Sequence, residues 1–303
     1  MGRADTYDRR NRWLWIGLTA PGAIWLLVLF VVPFYAMLAV AAGGVNPFFQ
    51  ISVPTWNPLH WSSTNLTAEW HAIVGTGSFI AAPALRTILY TAIATIISLA
   101  IAYPVAYFVS RYAGRRKTLY LVLLIAPFWV SYMMRMLAWI DLLQQNGFVN
   151  SVIGVVGLPS HTDWLGGKPA TVVFGLVYGY IPYLILVLYA GLDRIDQSLL
   201  EAARDLGLSK WRAFWRVTIP LSKPTIIAGA FITVLPMLGD YFTNQLISAA
   251  PGTTMIGNVI EGQLNSPGQT GQGAVLALML LVVLLIPMVY YAISTARASR
   301  EFA

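Results

Sequence analysis

The stretch Glu201-Ala202-Ala203-Arg204-Asp205-Leu206-Gly207, followed after a spacer by Val217-Thr218-Ile219-Pro220, is a charged island between two long apolar segments. Ile195, Leu199, Ala202, Ala203 and Leu206 recur at helical spacing and predict a short helix with one apolar face. Gly207 supplies the left-handed turn that ends such a helix, and Ser209 can cap a second one. That second helix carries Lys210, Arg212 and Arg216 among Trp211, Phe214 and Trp215, with Pro220 expected to close the unit. The pair reads as a docking element beside a membrane.

The rest of the chain supplies the membrane. It has 303 residues, 57% of them hydrophobic and only 10% charged, which is too apolar for the surface of a water-soluble domain. A helical span needs about 20 apolar residues, and six windows qualify, near 14 to 42, 85 to 110, 119 to 141, 170 to 192, 224 to 248 and 274 to 295. The expected fold is therefore an all-α integral membrane protein. The first window resembles a secretion signal, with Arg9-Arg10 before it and Ala39-Val40-Ala41 offering small residues. Its apolar run exceeds the roughly 7 to 15 residues of a signal core, so an uncleaved span is expected.

A net charge of +7 would suit nucleic acid, but its distribution argues against that partner. Sixteen of the nineteen Lys and Arg residues fall in alternate loops: Arg3 to Arg12, Arg111 to Lys117, Arg194 to Lys223, and Arg297 with Arg300. The positive-inside rule then puts both termini and the Glu201 loop in the cytoplasm. The expected organisation is a cytoplasmic segment over 1–13 and a six-helix transmembrane region over 14–303, containing an outer (periplasmic) loop at 43–84 and a cytoplasmic loop at 193–223. Trp56, Trp61 and Trp70 in the outer loop suit either an interfacial cover or a contact with a delivery protein. Absence of cysteine excludes disulfides and thiolate metal sites, and His60, His71 and His161 are too scattered to form a ligand cluster. The sequon at Asn65-Leu66-Thr67 carries no weight in a chain that looks bacterial.

The Glu201 stretch resembles the EAA loop of the inner-membrane permeases of ABC importers: Glu-Ala-Ala, three residues, Gly, nine residues, then apolar-x-apolar-Pro, here Val217, Ile219 and Pro220. By that resemblance the loop is a coupling helix seated in a cleft of a separate ATPase. Ala202 and Ala203 permit close approach, Glu201 and Asp205 offer polar contacts, and Gly207 sets the turn. A second string, Ala126-Pro127-Phe128-Trp129-Val130-Ser131, Arg135, Ala138-Trp139, Asn146-Gly147 and Asn150, is similar to spermidine/putrescine-type permeases, as are Gly239-Asp240-Tyr241 and Met255 to Ile260. The resemblance implies the type I importer fold, a second homologous permease, an ATPase homodimer holding ATP and Mg, an extracytoplasmic binding protein, and transport by alternating access in a bacterial inner membrane.

Ionisable residues in a span are functional candidates, since a charge at the bilayer centre costs at least about 2.5 kcal/mol. Arg135, Asp141 and Asp240 are those closest to hydrocarbon. Asp240 follows Pro236 and Gly239, with Tyr241 adjoining, where a bend could open the carboxylate to a cavity. Charge pairing from Asp240 and cation–π contact from Trp129, Tyr178, Tyr180 or Tyr183 would suit a polyamine. The other reading makes Asp240 a partner of Arg135, or a structural residue at the outer mouth. Arg135 and Asp141 are assigned structure first. Proline at positions 33, 104, 127, 182, 236 and 287 fits a pathway of broken helices as well as ordinary membrane helices.

The chain has no motor of its own. Gly167-Lys168-Pro169 lacks the earlier Gly and the hydroxyl of a phosphate loop, and Gly268 to Gly273 is a flexible connection rather than a nucleotide fingerprint. Import of another solute, such as ferric iron, an aminophosphonate, an opine or a small amine, is the nearest rival. A secondary carrier would need no coupling loop, and an intramembrane enzyme would need paired acids or an activated nucleophile.

Overall fold

The computed structural model describes residues 4–75, 78–157, 162–248 and 250–301, with side chains described from 14 to 293 within those ranges. His161 and the terminal arginine side chains lie outside them. The helices are α1 (Ala4–Ala41), α2 (Thr64–Val74), α3 (Ala81–Arg111), α4 (Lys117–Ile125), α5 (Tyr132–Leu143), α6 (Phe148–Val155), α7 (Pro169–Asp193), α8 (Gln197–Asp205), α9 (Lys210–Ala213), α10 (Ile219–Leu238), α11 (Phe242–Ile247), α12 (Ile256–Asn265) and α13 (Thr270–Glu301). Two short strands, β1 (Gly44–Val45) and β2 (Ser52–Val53), pair antiparallel with Gly44 opposite Val53. The chain divides into two compact units, Met1–Gly75 with Gly262–Val283, and Thr76–Glu261 with Leu284–Ala303.

In the first unit the end of α1 meets the start of α13 through Ala41, Ala274 and Val275, with Val40, Leu278 and Met279 around them. Small residues let the two backbones approach, which is how apolar helices associate where no hydrophobic effect drives them together. The Asn65 amide donates to the Ala41 and Gly43 carbonyls at 2.9 and 3.1 Å, tying α2 to the frayed end of α1. Tyr35 lies between the rings of Trp56 and Trp61 and donates its hydroxyl to the Trp56 carbonyl. Trp56 and Trp70 remain largely exposed.

The second unit is built around α7, the most buried of the long apolar helices. Against it α3 lays Ala94, Ala102 and Ala106, meeting Val172, Leu176, Leu184 and Leu188. The same face of α3 carries Thr87, Thr91, Thr95 and Ser98, all buried. Thr87 and Thr95 return their hydroxyls to the carbonyls one turn back at 2.8 and 2.7 Å, so these polar groups need no water. Tyr103 and Ser222 join α3 to α10 by a hydroxyl pair at 2.8 Å.

Among the described residues five helices are long and apolar enough to cross a membrane, and a bent pair, Gly114–Trp129 with Tyr132–Leu143 meeting at 83°, makes up to six when it is counted as one span. The expected span over 119–141 is therefore broken, at one of the prolines that the sequence singles out. Pro127 removes a backbone donor, Val130 becomes extended, and Ser131 caps α5 by accepting from the Met134 N–H at 3.3 Å. The fifth expected span also shifts. Pro220 does not close the docking unit, because α9 runs through a π-helical turn (Phe214–Thr218) directly into α10, and the apolar helix spans Lys210–Leu238. The Ile219 N–H bonds the Phe214 carbonyl five residues back, an extra residue in the turn just before the proline ring. At its other end α10 stops at Gly239, and residues expected to complete the span form α11 instead.

The Asn146-Gly147-x-x-Asn150 string is a structural lock. Asn150 is fully buried and donates to the Gln144, Gln145 and Thr162 carbonyls at 3.2, 3.0 and 2.9 Å, while accepting from the Trp164 indole at 3.0 Å. Asn150→Ala removes all four bonds and leaves the indole N–H without its acceptor, so a destabilisation of about 1–3 kcal/mol is expected. The thermal inactivation midpoint of the purified protein checks it, with Asn150→Asp, which keeps only the acceptor, falling in between.

Candidate functional site

Two regions hold the residues that the sequence singles out. In the first, Asp196 begins α8 by accepting from the Ser198 N–H at 3.0 Å, a bond that holds its carboxyl below the usual range. Gly207 ends the helix at φ +88°, and the Leu208 N–H reaches back to the Ala203 carbonyl at 3.1 Å. Ser209 then caps α9 through the Arg212 N–H at 3.3 Å.

The predicted single apolar face of α8 is divided in the structure. Ala203 is only 8% exposed and faces the bundle, whereas Ala202 and Leu199 are exposed and Leu206 is 86% exposed. A nine-residue helix buries one narrow stripe, and its remaining apolar side chains stay bare. Glu201 and Asp205 are exposed as well. Phe214 anchors the region by edge contacts on Tyr103 and Tyr107 at 5.9 and 5.1 Å. Arg111 donates to the Leu192 carbonyl at 3.0 Å, and Lys117 pairs with Asp193, which ties the ends of α3, α4 and α7 together beneath α8. Exposed Trp211 and Trp215 complete the surface.

The second region is the break after α10. Asp240 is 7% exposed, and its carboxylate accepts from the Thr243 N–H at 2.9 Å, the Thr243 hydroxyl at 2.6 Å and the Tyr180 hydroxyl at 3.0 Å. The Thr243 hydroxyl also meets Tyr132. Two glycines of α7 make room for this relay: a Cβ on Gly175 would stand 2.5 Å from the Thr243 methyl, and one on Gly179 would stand 2.9 Å from the Tyr132 ring. Among the described residues the hydrogen-bond partners of Asp240 are all neutral groups.

Arg135 is not its partner. The guanidinium is 9% exposed and lies 4.1 Å over the Phe128 ring, with Tyr132 and Tyr178 at 5.5 and 5.6 Å. The aromatic contacts expected around a substrate cation are thus partly taken by the protein's own arginine. Tyr178 belongs to this cage, stacked among Phe128, Trp139 and Phe174. Of the aromatics proposed to accompany Asp240 only Tyr180 touches it. Trp129 is 82% exposed and Tyr183 is exposed, while Tyr241 adjoins by sequence, offering its carbonyl to Asn258 at 2.8 Å. Asp141 is exposed and accepts from Gln144. Thr243 and Tyr132 escaped the sequence reading. Asp-x-x-Thr is a local capping pattern that could have flagged the first, whereas Tyr132 is distant in the chain and arrives only through the bend after Trp129.

The comparisons agree with this architecture. The model of the family described as binding-protein-dependent transport system inner membrane component matches residues 73–300. The spermidine/putrescine transport system permease protein PotB of Escherichia coli is 35% identical over 197 residues, 64% of this chain and 68% of that protein. PotB of Haemophilus influenzae is 32% identical over 273 residues, covering 88% and 89%. A bacterial alginate ABC transporter, solved in complex with its alginate-bound periplasmic protein, shares the fold at TM-score 0.74 and 16% identity, over 96% of this chain and 97% of that one. The bundle, its bent span and its exposed α8 are those of a multi-pass membrane protein, and the chain belongs to the family of inner membrane components of binding-protein-dependent transport systems.

Proposed function

We propose that this chain is a permease subunit of an ATP-driven importer that carries polyamines of the spermidine/putrescine class. Two similar proteins over most of the chain are named for that transport. The observation that carries the reading into the structure is Asp240, a buried carboxylate with hydroxyl and amide donors but no cationic partner among the described residues. Such a group keeps a net attraction for an ammonium that a salt-bridged aspartate would lack. Tyr180 and Thr243 fix its orientation, and Tyr132 links it to the Arg135 cage.

The working assembly has a second homologous permease, two ATPase subunits that bind ATP and Mg, and a substrate-binding protein outside. Both termini and α8 face the cytoplasm, where α8 enters a cleft of the ATPase. The bare apolar side of Leu199, Ala202 and Leu206, rimmed by Glu201 and Asp205, is the docking face, while Ala203 holds α8 on the bundle. Because α9 and α10 form one continuous helix, a displacement of α8 passes directly to Lys210–Leu238 and on to the break that carries Asp240. ATP-driven closure of the ATPase pair would thereby open the pathway outward.

Hydrolysis of ATP by the reconstituted complex with its binding protein, measured across a panel of solutes, should rise with spermidine or putrescine; stimulation by an opine, aminophosphonate or ferric iron instead would transfer the assignment to that solute. Ala203→Trp should insert normally yet lose substrate-stimulated hydrolysis, because the large ring lifts α8 from its seat; coupled hydrolysis at the wild-type rate would remove α8 from the mechanism. Asp240→Asn retains the acceptor for the Thr243 N–H while deleting the charge. Uptake should drop by roughly tenfold or more, corresponding to at least about 1.4 kcal/mol of lost charge interaction, with an unchanged thermal midpoint. An unchanged uptake rate would reduce Asp240 to a helix cap.

A further inference from the structure

Glu69 on α2 is 1% exposed, and Gln263 near the end of α12 is 6% exposed. The Gln263 amide donates to Glu69 Oε1 at 3.0 Å. The two oxygens left over, Glu69 Oε2 and Gln263 Oε1, are both buried and both without a hydrogen-bond partner. Two acceptors stranded on one pair of side chains is a costly arrangement for an ionised carboxylate, since each unpaired buried acceptor gives up its solvation without replacement. A carboxylic acid and a primary amide meeting edge to edge have a simpler solution. One proton on Oε2 donates to the amide oxygen, the amide N–H donates to Oε1, and a closed ring of two hydrogen bonds satisfies every atom.

We propose that Glu69 is a proton-binding site, held neutral as an acid–amide ring with Gln263, and that this ring latches α2 to the 262–265 end of α12. Among the described side chains of this unit no Lys or Arg is placed to hold the carboxylate ionised. Among the described side chains of this unit, 14–75 and 262–283, the titratable groups besides Glu69 are Tyr35, His60 and His71. Tyr35 is engaged with the Trp56 carbonyl, and both histidines are exposed. His71 stands two residues beyond Glu69, on the opposite side of α2 by the helical period, and Glu261, the other titratable group of α12, is opposite Gln263 in the same way. Burial pushes the Glu69 carboxyl up from its ordinary value, in the direction the ring requires.

The pH dependence follows in sign. The folded chain keeps a proton that the unfolded chain releases near the ordinary glutamate value of about 4.3. Stability therefore falls as pH rises from there to the elevated value of the folded state, and levels off above it. On the orientation proposed above, α2 lies on the outer side, so external alkalinity loosens the loop that precedes the second span; that consequence rests on the proposed orientation, whereas the ring does not.

Infrared difference spectroscopy of the purified complex in lipid, wild type minus Glu69→Gln at about pH 7, reads the proton directly and independently of transport. A protonated-carboxyl C=O band above the amide envelope is expected; carboxylate bands alone overturn the proposal. Glu69→Gln restores both bonds as an amide–amide ring, so it should keep the wild-type thermal midpoint and lose the wild-type decline with rising pH. Glu69→Ala should lower the midpoint at every pH. A Glu69→Gln midpoint as low as that of Glu69→Ala also overturns it, because the site would then require the charge, as a bound cation or a bridging water does.

Discussion

Backbone groups buried among apolar helices have to be answered from within the protein, because a bilayer offers them no water. The long helices answer for their own backbones, and the positions where they do not are where the molecule acquires its character. Pro127 costs a hydrogen bond in what would be a straight span, and the chain bends by 83° and restarts on a serine cap. Ahead of Pro220 the backbone takes a π turn instead, so the helix survives. The end of α10 at Gly239 exposes backbone groups and gives Asp240 its place. Three helix irregularities thus have one origin and three outcomes, decided by which donors lie near.

The same constraint separates the two intramembrane charges. Asp240 collects two hydroxyls and an amide, which orient it without cancelling it. Arg135 collects aromatic faces, and two of its nitrogens remain without hydrogen bonds. A direct ion pair between them would have neutralised both. They stand apart instead, at opposite ends of a Tyr132–Thr243 relay. The glycines at 175 and 179 are what permit that relay to lie flat on α7.

Mechanical continuity ties the exposed α8 to this site. A proline-terminated unit, as the local sequence suggests, would separate the α8–α9 region from the long helix that follows. One uninterrupted apolar helix from Lys210 to Leu238 instead leads to the Asp240 break, with Phe214 seated on Tyr103 and Tyr107 near its start. The small inward face of α8, essentially Ala203, leaves the larger apolar side free.

Hydropathy and charge bias made the membrane class, the long helices and the docking loop legible, since these depend on composition and on periods within a single helix. Gly207 and Ser209 were legible for the same reason: a left-handed turn and an N-cap are local matters. Asp240 was recognisable as a charge in the wrong solvent, but its companions were not, because Tyr132 reaches Thr243 only after a bend and across α7. Nor could the pattern of residues tell which aromatics would surround Arg135, or that Leu199 and Leu206 would turn away from the bundle while Ala203 turned in. A one-dimensional pattern specifies the direction of a side chain relative to its own helix; which neighbour stands in that direction is decided by packing between helices, and there the tertiary structure alone settled the site.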